Sequence, residues 1–538
     1  MLVQDLLHNS AERFPDKVAL ICDGHRLTYA QVEEQANRVA NGLLALGVQR
    51  GDRVGVWLPN SVETVIAIFA ILKAGATFVV VNPTTKPGKL AYILNNCAAS
   101  GLFAPARQRR QVEDLFDAAP STHFAILCGK GAAELSRRTS LSPGGEGRGE
   151  GGAPPPNRRA ACGEHGRVVG LPQLLEAYPL TRPPCPTIDV DLACLIYTSG
   201  STGEPKGVMS THANVVFAAS SIIQYLENVP EDIVINVLPL SFDYGLYQLL
   251  MVFKFGGTLV LERSFAYPAA VLQRIEQERV TGFPGVPTLF AILVQMDLSR
   301  FDLSSLRYLT NTAAALPVEH IRRLQEAFPW ARLYSMYGLT ECKRTLYLPP
   351  EELDRRPGSV GIAIPGTEVW IEDEAGARLG PGEVGELVVR GSHVMQGYWG
   401  APDATAKRYR PGRYPAERIL YTGDLFKMDK EGFLYFIARK DDIIKSRGEK
   451  VAPKEVESVL YQLPGVVEAA VVGVPDELLG QAIKAFIVCG DGHHLTEKDV
   501  LRHCAAHLED FMVPKHVEFR SSLPKTSSGK IRASALRE

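Results

Sequence analysis

RVGVWLPNSVETVIAIFAILKAGATFVVV, residues 53–81, decides how the chain is built. Residues 53–58 read as a strand, and Asn60 with Glu63 has the pattern of a capping box opening a helix over 61–73. Gly75 ends that helix, and 78–81 is a continuous apolar strand. A strand, a helix and a strand with short joins make a βαβ unit, so the body is expected to be α/β with a largely parallel sheet. Upstream, residues 28–47 put Val32, Ala36, Val39, Leu43 and Leu46 on one helical face. Downstream, strands are expected at 233–240, 280–283 and 306–310, with a helix at 268–278. From about 358 the pattern changes to short strands with Gly and Pro turns, such as GELVVRG, which suggests a β subdomain reaching 438. Residues 466–474, 485–488 and 516–519 read as strands and 496–508 as a helix, a small α+β domain over 442–538. The expected organisation is a body of 1–438, a hinge at 439–441 and that C-terminal domain. Residues 139–168, rich in Gly, Pro, Arg and Glu, read as a disordered insertion on a surface loop.

At 538 residues the chain is too long for one core. Its 46% hydrophobic and 22% charged residues are those of an ordinary globular protein, and a net charge of -2 offers no global attraction to nucleic acid or anionic membrane. Nine scattered cysteines without a C-x-x-C pair argue against a disulfide framework or zinc module, and for a reducing compartment. The opening MLVQDLLHNSAERFPDK carries Asp5 and Glu12 and resembles neither a signal peptide nor an anchor. No apolar run is long enough to span a bilayer, so a cytoplasmic location is expected.

Chemistry concentrates in LIYTSGSTGEPKGV, 195–208. Strand-forming residues end in a loop of Thr198, Ser199, Gly200, Ser201, Thr202 and Gly203, closed by Pro205, Lys206 and Gly207. Glycines let successive N–H groups converge on an anion, the hydroxyls add donors, and Lys206 adds a charge. It is not a Walker A loop, and by itself a Gly/Ser-rich surface loop is the ordinary alternative. The full string Tyr-Thr-Ser-Gly-Ser-Thr-Gly-x-Pro-Lys-Gly, however, resembles the phosphate loop of the AMP-forming adenylating superfamily of acyl-CoA synthetases, amino-acid adenylation domains and beetle luciferases.

Further motifs carry the same resemblance in the same order. In Tyr334-Ser335-Met336-Tyr337-Gly338-Leu339-Thr340-Glu341, expected after a short strand, an aromatic suits base stacking, a hydroxyl a phosphate and a carboxylate a magnesium ion. Tyr421-Thr422-Gly423-Asp424 reads as a carboxylate at a turn; the matching family Asp accepts from both ribose hydroxyls. Residues 438–448, ARKDDIIKSRG, are similar to the family's hinge motif with Ala438 in place of Gly. This implies Arg439 on ribose or phosphate, Asp441 as the pivot, and Lys445 and Gly448 in the catalytic set. Residues 523–531, LPKTSSGKI, resemble the family string whose last Lys, here Lys530, bridges the substrate carboxylate and the α-phosphate. His503 and His507, four apart on a helix, read as a surface pair rather than metal ligands.

The resemblance implies that a carboxylate attacks the α-phosphate of ATP, giving an acyl-adenylate that a thiol then takes with release of AMP. Magnesium on Glu341, with Thr198, and the loop would hold the leaving pyrophosphate, and Lys530 would neutralise the developing charge. The Lys530 and Gly448 segments would alternate by rotation about Asp441. The acid pocket is expected at Phe242, Asp243, Val286, Thr312, Ala313, Ala314 and Met336. Thr312 and Ala313 stand where relatives often carry Gly, which favours a short acid. Asp243 after Phe242 is similar to amino-acid adenylation domains, where an Asp binds the α-amine; it also suits a solvated or capping residue. The run GVPDELLG, 473–480, is instead like acyl-CoA synthetases. CoA is therefore the first-choice acceptor. The alternative is a freestanding enzyme loading an amino acid such as proline onto a separate carrier protein. A nucleotide-binding protein without catalysis is a third reading, against which Glu341, Asp424 and Lys530 stand.

Overall fold

The computed structural model describes residues 1–133, 166–198, 204–312, 314, 316–415, 417–446, 449–476, 479–490, 492–493, 495–526 and 530–537. The chain divides into two compact units, Met1–Ser264 with Met395–Ala406, and Phe265–Val394 with Lys407–Glu538.

The first unit contains the βαβ element that the sequence announces. Strands Arg53–Val56 and Thr77–Val80 pair in parallel around the helix Val62–Lys73, whose residues are all buried from Thr64 onward. Its cap is Ser61, whose Oγ accepts from the Thr64 amide at 3.3 Å, and not the expected Asn60. Asn60 serves tertiary structure instead: its amide donates to the carbonyls of Leu238 at 3.0 Å and Glu262 at 2.8 Å, and its oxygen accepts from the Leu240 amide at 2.9 Å. A buried Asn with three backbone partners cannot also cap a helix. The sheet runs Arg167–Gly170, Phe124–Cys128, Gly101–Pro105, Arg53–Val56, Thr77–Val80, Leu192–Thr198, Lys206–Thr211, parallel except for the last pair. Residues 139–165 of the expected insertion lie outside the described residues. Its end is corrected: Arg167 and Val168 pair with Phe124 and Ala125, because the run RVVG is β-branched and finds an open sheet edge.

In the second unit, strands Gly282–Gly285, Tyr308–Asn311 and Arg332–Leu339 run parallel, and Lys343–Tyr347 returns antiparallel. Thr367–Glu372, Val384–Gly391 and Arg418–Met428 form an antiparallel sheet to which Tyr409–Pro411 and Leu434–Arg439 add, in the region expected to be a β subdomain. Residues 442–538 have their own sheet of Ile444–Ser446, Glu449–Val451, Val466–Asp476, Gly480–Cys489 and His516–Phe519. Helices Pro453–Leu460 and Glu497–His507 cover it, and Val456, Leu460, Val471, Ile483, Ile487 and Val500 lie in its core. The result is mixed α/β with a large N-terminal body and a small C-terminal α+β segment. The compact units do not divide at 439–441; within the second unit this segment meets the helix Val318–Ala327 through the His320–Tyr461 ring contact. No helix among the described residues is long and apolar enough to cross a membrane.

Candidate active site

In the first unit, Thr198 closes the Leu192–Thr198 strand and is half-buried. Ser199, Gly200, Ser201, Thr202 and Gly203 lie outside the described residues. Lys206 opens the next strand, its ammonium 5.8 Å from the Tyr398 ring centroid. Phe242 and Asp243 begin the helix Asp243–Phe255; Asp243 is buried, 8% exposed, at its first position, where the helix dipole favours a negative charge.

In the second unit, parallel register lines up part of the expected acid pocket. Gly285 pairs with Asn311, and Asn311 with Ser335. Val286, Thr312 and Met336 each follow one residue later, side by side at the carboxyl edge of the sheet and all buried. That edge is where open α/β sheets place ligands. Ala314 is exposed and its carbonyl accepts from Asn311 at 3.2 Å; Ala313 lies outside the described residues.

The Tyr334–Glu341 motif does not follow a strand but forms one. Arg332–Leu339 carries Tyr337, and Thr340, Glu341 and Cys342 make the tight turn into Lys343–Tyr347. Gly338 is required there, since a Cβ at that position would lie 1.7 Å from the Lys343 carbonyl oxygen. Gly338→Ala is expected to destabilise the protein by about 3 kcal/mol, read as a lower Tm, because the obstacle is backbone and cannot step aside.

Asp424 likewise sits in no turn. It lies within Arg418–Met428, where the pairing with Val384–Gly391 slips between Glu386 and Val388. This bulge re-aims the carboxylate. Gly423, at φ +71°, donates its amide to Glu386 Oε1 at 2.8 Å, and Thr422 Oγ1 accepts from the Asp424 amide at 3.2 Å. The Tyr337 hydroxyl donates to Asp424 Oδ2 at 2.6 Å. Arg439, the cross-strand partner of Asp424, brings Nε to 3.5 Å from Oδ1. Phe426 and Phe436 pack on the Tyr337 ring, with centroids at 4.9 and 6.4 Å.

Burial raises the Asp424 pKa above the usual carboxylate value, against the opposing pull of Arg439, the Tyr337 hydroxyl, Arg408 and Lys530. Lys530, half-buried and 106 positions along the chain, is thus within electrostatic reach of Asp424. Partial desolvation lowers the Arg439 pKa, and Asp424, Asp442, Tyr337 and Glu341 more than offset it. One cluster therefore holds Tyr337, Asp424, Arg439, Lys530 and Glu341. Lys445 stands apart and exposed, its amide donating to Gln481 Oε1 at 2.8 Å; Asp441 lies in the short turn Lys440–Asp442, and Gly448 is outside the described residues. His503 and His507 bond to the carbonyls of Val459 and His503 respectively. Two residues of the cluster have no motif to announce them. Arg408 donates to the carbonyls of Tyr421 and Thr422, and Glu386 ties the bulge to Lys440 at 3.0 Å.

Residues 7–399 match the family model described as AMP-binding enzyme, and 455–530 that of the AMP-binding enzyme C-terminal domain. The chain is 32% identical to a long-chain-fatty-acid–CoA ligase of Bacillus subtilis, covering 98% of this chain and 93% of that one. It is 34% identical to a feruloyl-CoA synthase of an Amycolatopsis species, covering 97% and 95%. Among solved structures, the anthranilate CoA ligase AuaEII in complex with anthranoyl-AMP aligns with a TM-score of 0.87 at 27% identity, covering 100% of this chain and 96% of that one. Two matched domains and near-complete coverage lead to one conclusion: the chain belongs to the AMP-binding enzyme family, within the AMP-forming adenylating superfamily and close to its acyl-CoA ligases.

Proposed function

We propose that the chain is an AMP-forming carboxylic acid–CoA ligase whose adenylate is made at the Tyr337–Asp424–Arg439–Lys530 cluster. The observation that carries the assignment of residues is that a buried, hydrogen-bonded carboxylate, Asp424, lies within electrostatic reach of a half-buried lysine 106 positions along the chain. Asp424 accepts from the ribose hydroxyls, Tyr337 lies against the base, and Arg439 serves ribose or phosphate. Ser199, Gly200, Ser201, Thr202, Gly203 and Lys206 cradle the β- and γ-phosphates. A carboxylate oxygen of the acid bonds to the α-phosphorus as the bond to pyrophosphate breaks. Both reactants are anions, and Lys530 neutralises the charge between them. The CoA thiol then loses its proton and bonds to the acyl carbon as AMP leaves.

Glu341 fits a magnesium ion. It is a hard oxygen donor in the turn, and its charge is felt by the Arg439 guanidinium and, after burial and Thr345, by the Cys342 thiol. Glu341, with Thr198 as a further oxygen donor, would hold the ion, which when bound supplies positive charge to the leaving pyrophosphate. Lys445 and the Gly448 loop serve the thioester step, presented by rotation about Asp441.

The acid is compact. Val286, Thr312 and Met336 are side by side and buried, and a Thr in place of Gly narrows a tunnel. A second reading rests on Asp243, a buried carboxylate with no hydrogen bond or ion pair among the described residues, which suits an amino-acid substrate and a separate carrier protein. A pyrophosphate-exchange screen over palmitate, ferulate, benzoate and proline, repeated with CoA and with a carrier protein, separates them. Exchange with a short or aromatic acid followed by CoA thioester formation is expected. Proline-dependent exchange without CoA turnover overturns the assignment.

A further inference from the structure

His320 is the third residue of the helix Val318–Ala327 and 6% exposed, although Arg322 and Arg323 on the same helix face solvent. Its ring meets Tyr461, just beyond the helix Pro453–Leu460, edge to face with centroids 5.7 Å apart. Tyr461 is fixed within the C-terminal segment. Its hydroxyl accepts from the Ala469 amide at 3.1 Å and donates to the Ala469 carbonyl at 3.4 Å. One turn earlier, Glu457 Oε1 accepts from the Val471 amide at 3.1 Å. A ring pinned in this way cannot swing aside, so its position reports the position of the whole segment. His320 Nδ1 is buried and has no hydrogen-bond partner among the described residues. An orphaned imidazole nitrogen is unfavourable in a permanent core. It suits a surface that opens to water for part of the working cycle.

We propose that His320 and Tyr461 are positioning residues, the seat on which the C-terminal segment docks when Lys530 is presented to Asp424. This rests on the adenylation role proposed for Lys530 and on the rotation about Asp441. The seat discriminates between protonation states of His320. Glu319 and Arg323 face it from its own helix, and Lys454 from Pro453–Leu460; Tyr461 contributes an uncharged ring, and no charge is contributed by the neighbouring helix Pro287–Leu293. Burial first, then Arg323 and Lys454, pull the imidazole pKa down to about 4, with Glu319 opposing. Released into water, the same imidazole titrates near its ordinary 6.5. Docking therefore requires the neutral ring, and acid shifts the segment toward the released arrangement.

The test measures the two half-reactions separately. Acid-dependent pyrophosphate exchange is followed with the fastest of palmitate, ferulate, benzoate and proline, and thioester formation from the matching synthetic acyl-adenylate and CoA. Tyr461→Ala, and His320→Ala from the opposite side, are expected to lower exchange about tenfold and leave thioester formation within twofold. Between pH 7.5 and 5.5 the wild-type ratio of exchange to thioester formation, divided by that of His320→Gln at the same pH so that protonation of the CoA thiol cancels, is expected to fall about tenfold. Parallel losses in both half-reactions, no loss in either, or the same pH dependence in wild type and His320→Gln overturns the seat. Lys530→Ala, run alongside, keeps the two ideas distinct. If it spares exchange, the proposed role of Lys530 fails; if it abolishes exchange alone while the seat variants do not, only the seat fails.

Discussion

Lys530→Ala is expected to lower acid-dependent pyrophosphate exchange about 10²–10³-fold while the variant still converts a preformed acyl-adenylate and CoA to thioester. The physical ground is the repulsion between a carboxylate and a triphosphate, which water screens well and a closed site does not. A lysine helps only if its ammonium is held where that charge develops. Here the backbone that carries it is anchored: the Lys530 amide donates to Thr526 Oγ1 at 3.1 Å, the Thr526 amide to the Lys530 carbonyl at 2.7 Å, and Lys525 bridges to Ile531. From that position Lys530 is within electrostatic reach of the buried Asp424, whereas Lys525 is paired with Glu468. Lys525→Ala is therefore the control, with exchange expected within about twofold of wild type. Equal losses for the two variants would mean that a general change in charge, and not a placed ammonium, is being read.

Much of this is legible in the sequence, for identifiable reasons. The strand–helix–strand run at 53–81 is local, so its apolar pattern and short joins suffice; only the cap moved, from Asn60 to Ser61, because Asn60 answers to carbonyls some 180 and 200 positions away. Motif residues such as Tyr337, Asp424 and Lys530 are recognisable because their types sit in fixed strings. Their geometry is not. A Gly-Asp pair reads locally as a turn, and only the neighbouring strand Val384–Gly391, with its slip at Glu386, turns it into a bulge. Arg408 and Glu386 support that bulge from elsewhere in the chain: GELVVRG, which contains Glu386, announces a strand but no role for its carboxylate, and nothing marks Arg408. The same limit hides His320 and Tyr461, which meet across 141 positions. What a string of residues conveys is chemistry along the chain; what packing adds is chemistry across it.

Asp424→Asn is expected to separate function from stability. In the proposed role the carboxylate takes two charge-assisted hydrogen bonds from a ribose, each worth about 1.5–3 kcal/mol and roughly twice a neutral bond. Replacing it by an amide of the same shape should lower kcat/KM for ATP about 10²-fold. The fold should not suffer. Burial raises the Asp424 pKa above its ordinary value, so the proton is bound more tightly folded than unfolded. Stability linked to that proton is fully present below the unfolded pKa of 3.8 and is lost as pH rises through the folded value. At pH 7 the wild type thus carries an ionised, buried carboxylate that the Asn variant lacks. Tyr337 can still donate to the amide oxygen, and Arg439, with its side chain 58% exposed, loses an ion pair that water largely replaces. The Tm of Asp424→Asn at pH 7 is therefore expected to equal or exceed that of the wild type, and the difference to close as pH falls below 4. A lower Tm at pH 7 would make Asp424 a structural anchor first. Unchanged ATP kinetics would remove it from the nucleotide site altogether. A residue that the fold holds at its own expense, at the one bulge in its strand pair, is there for something the fold itself does not need.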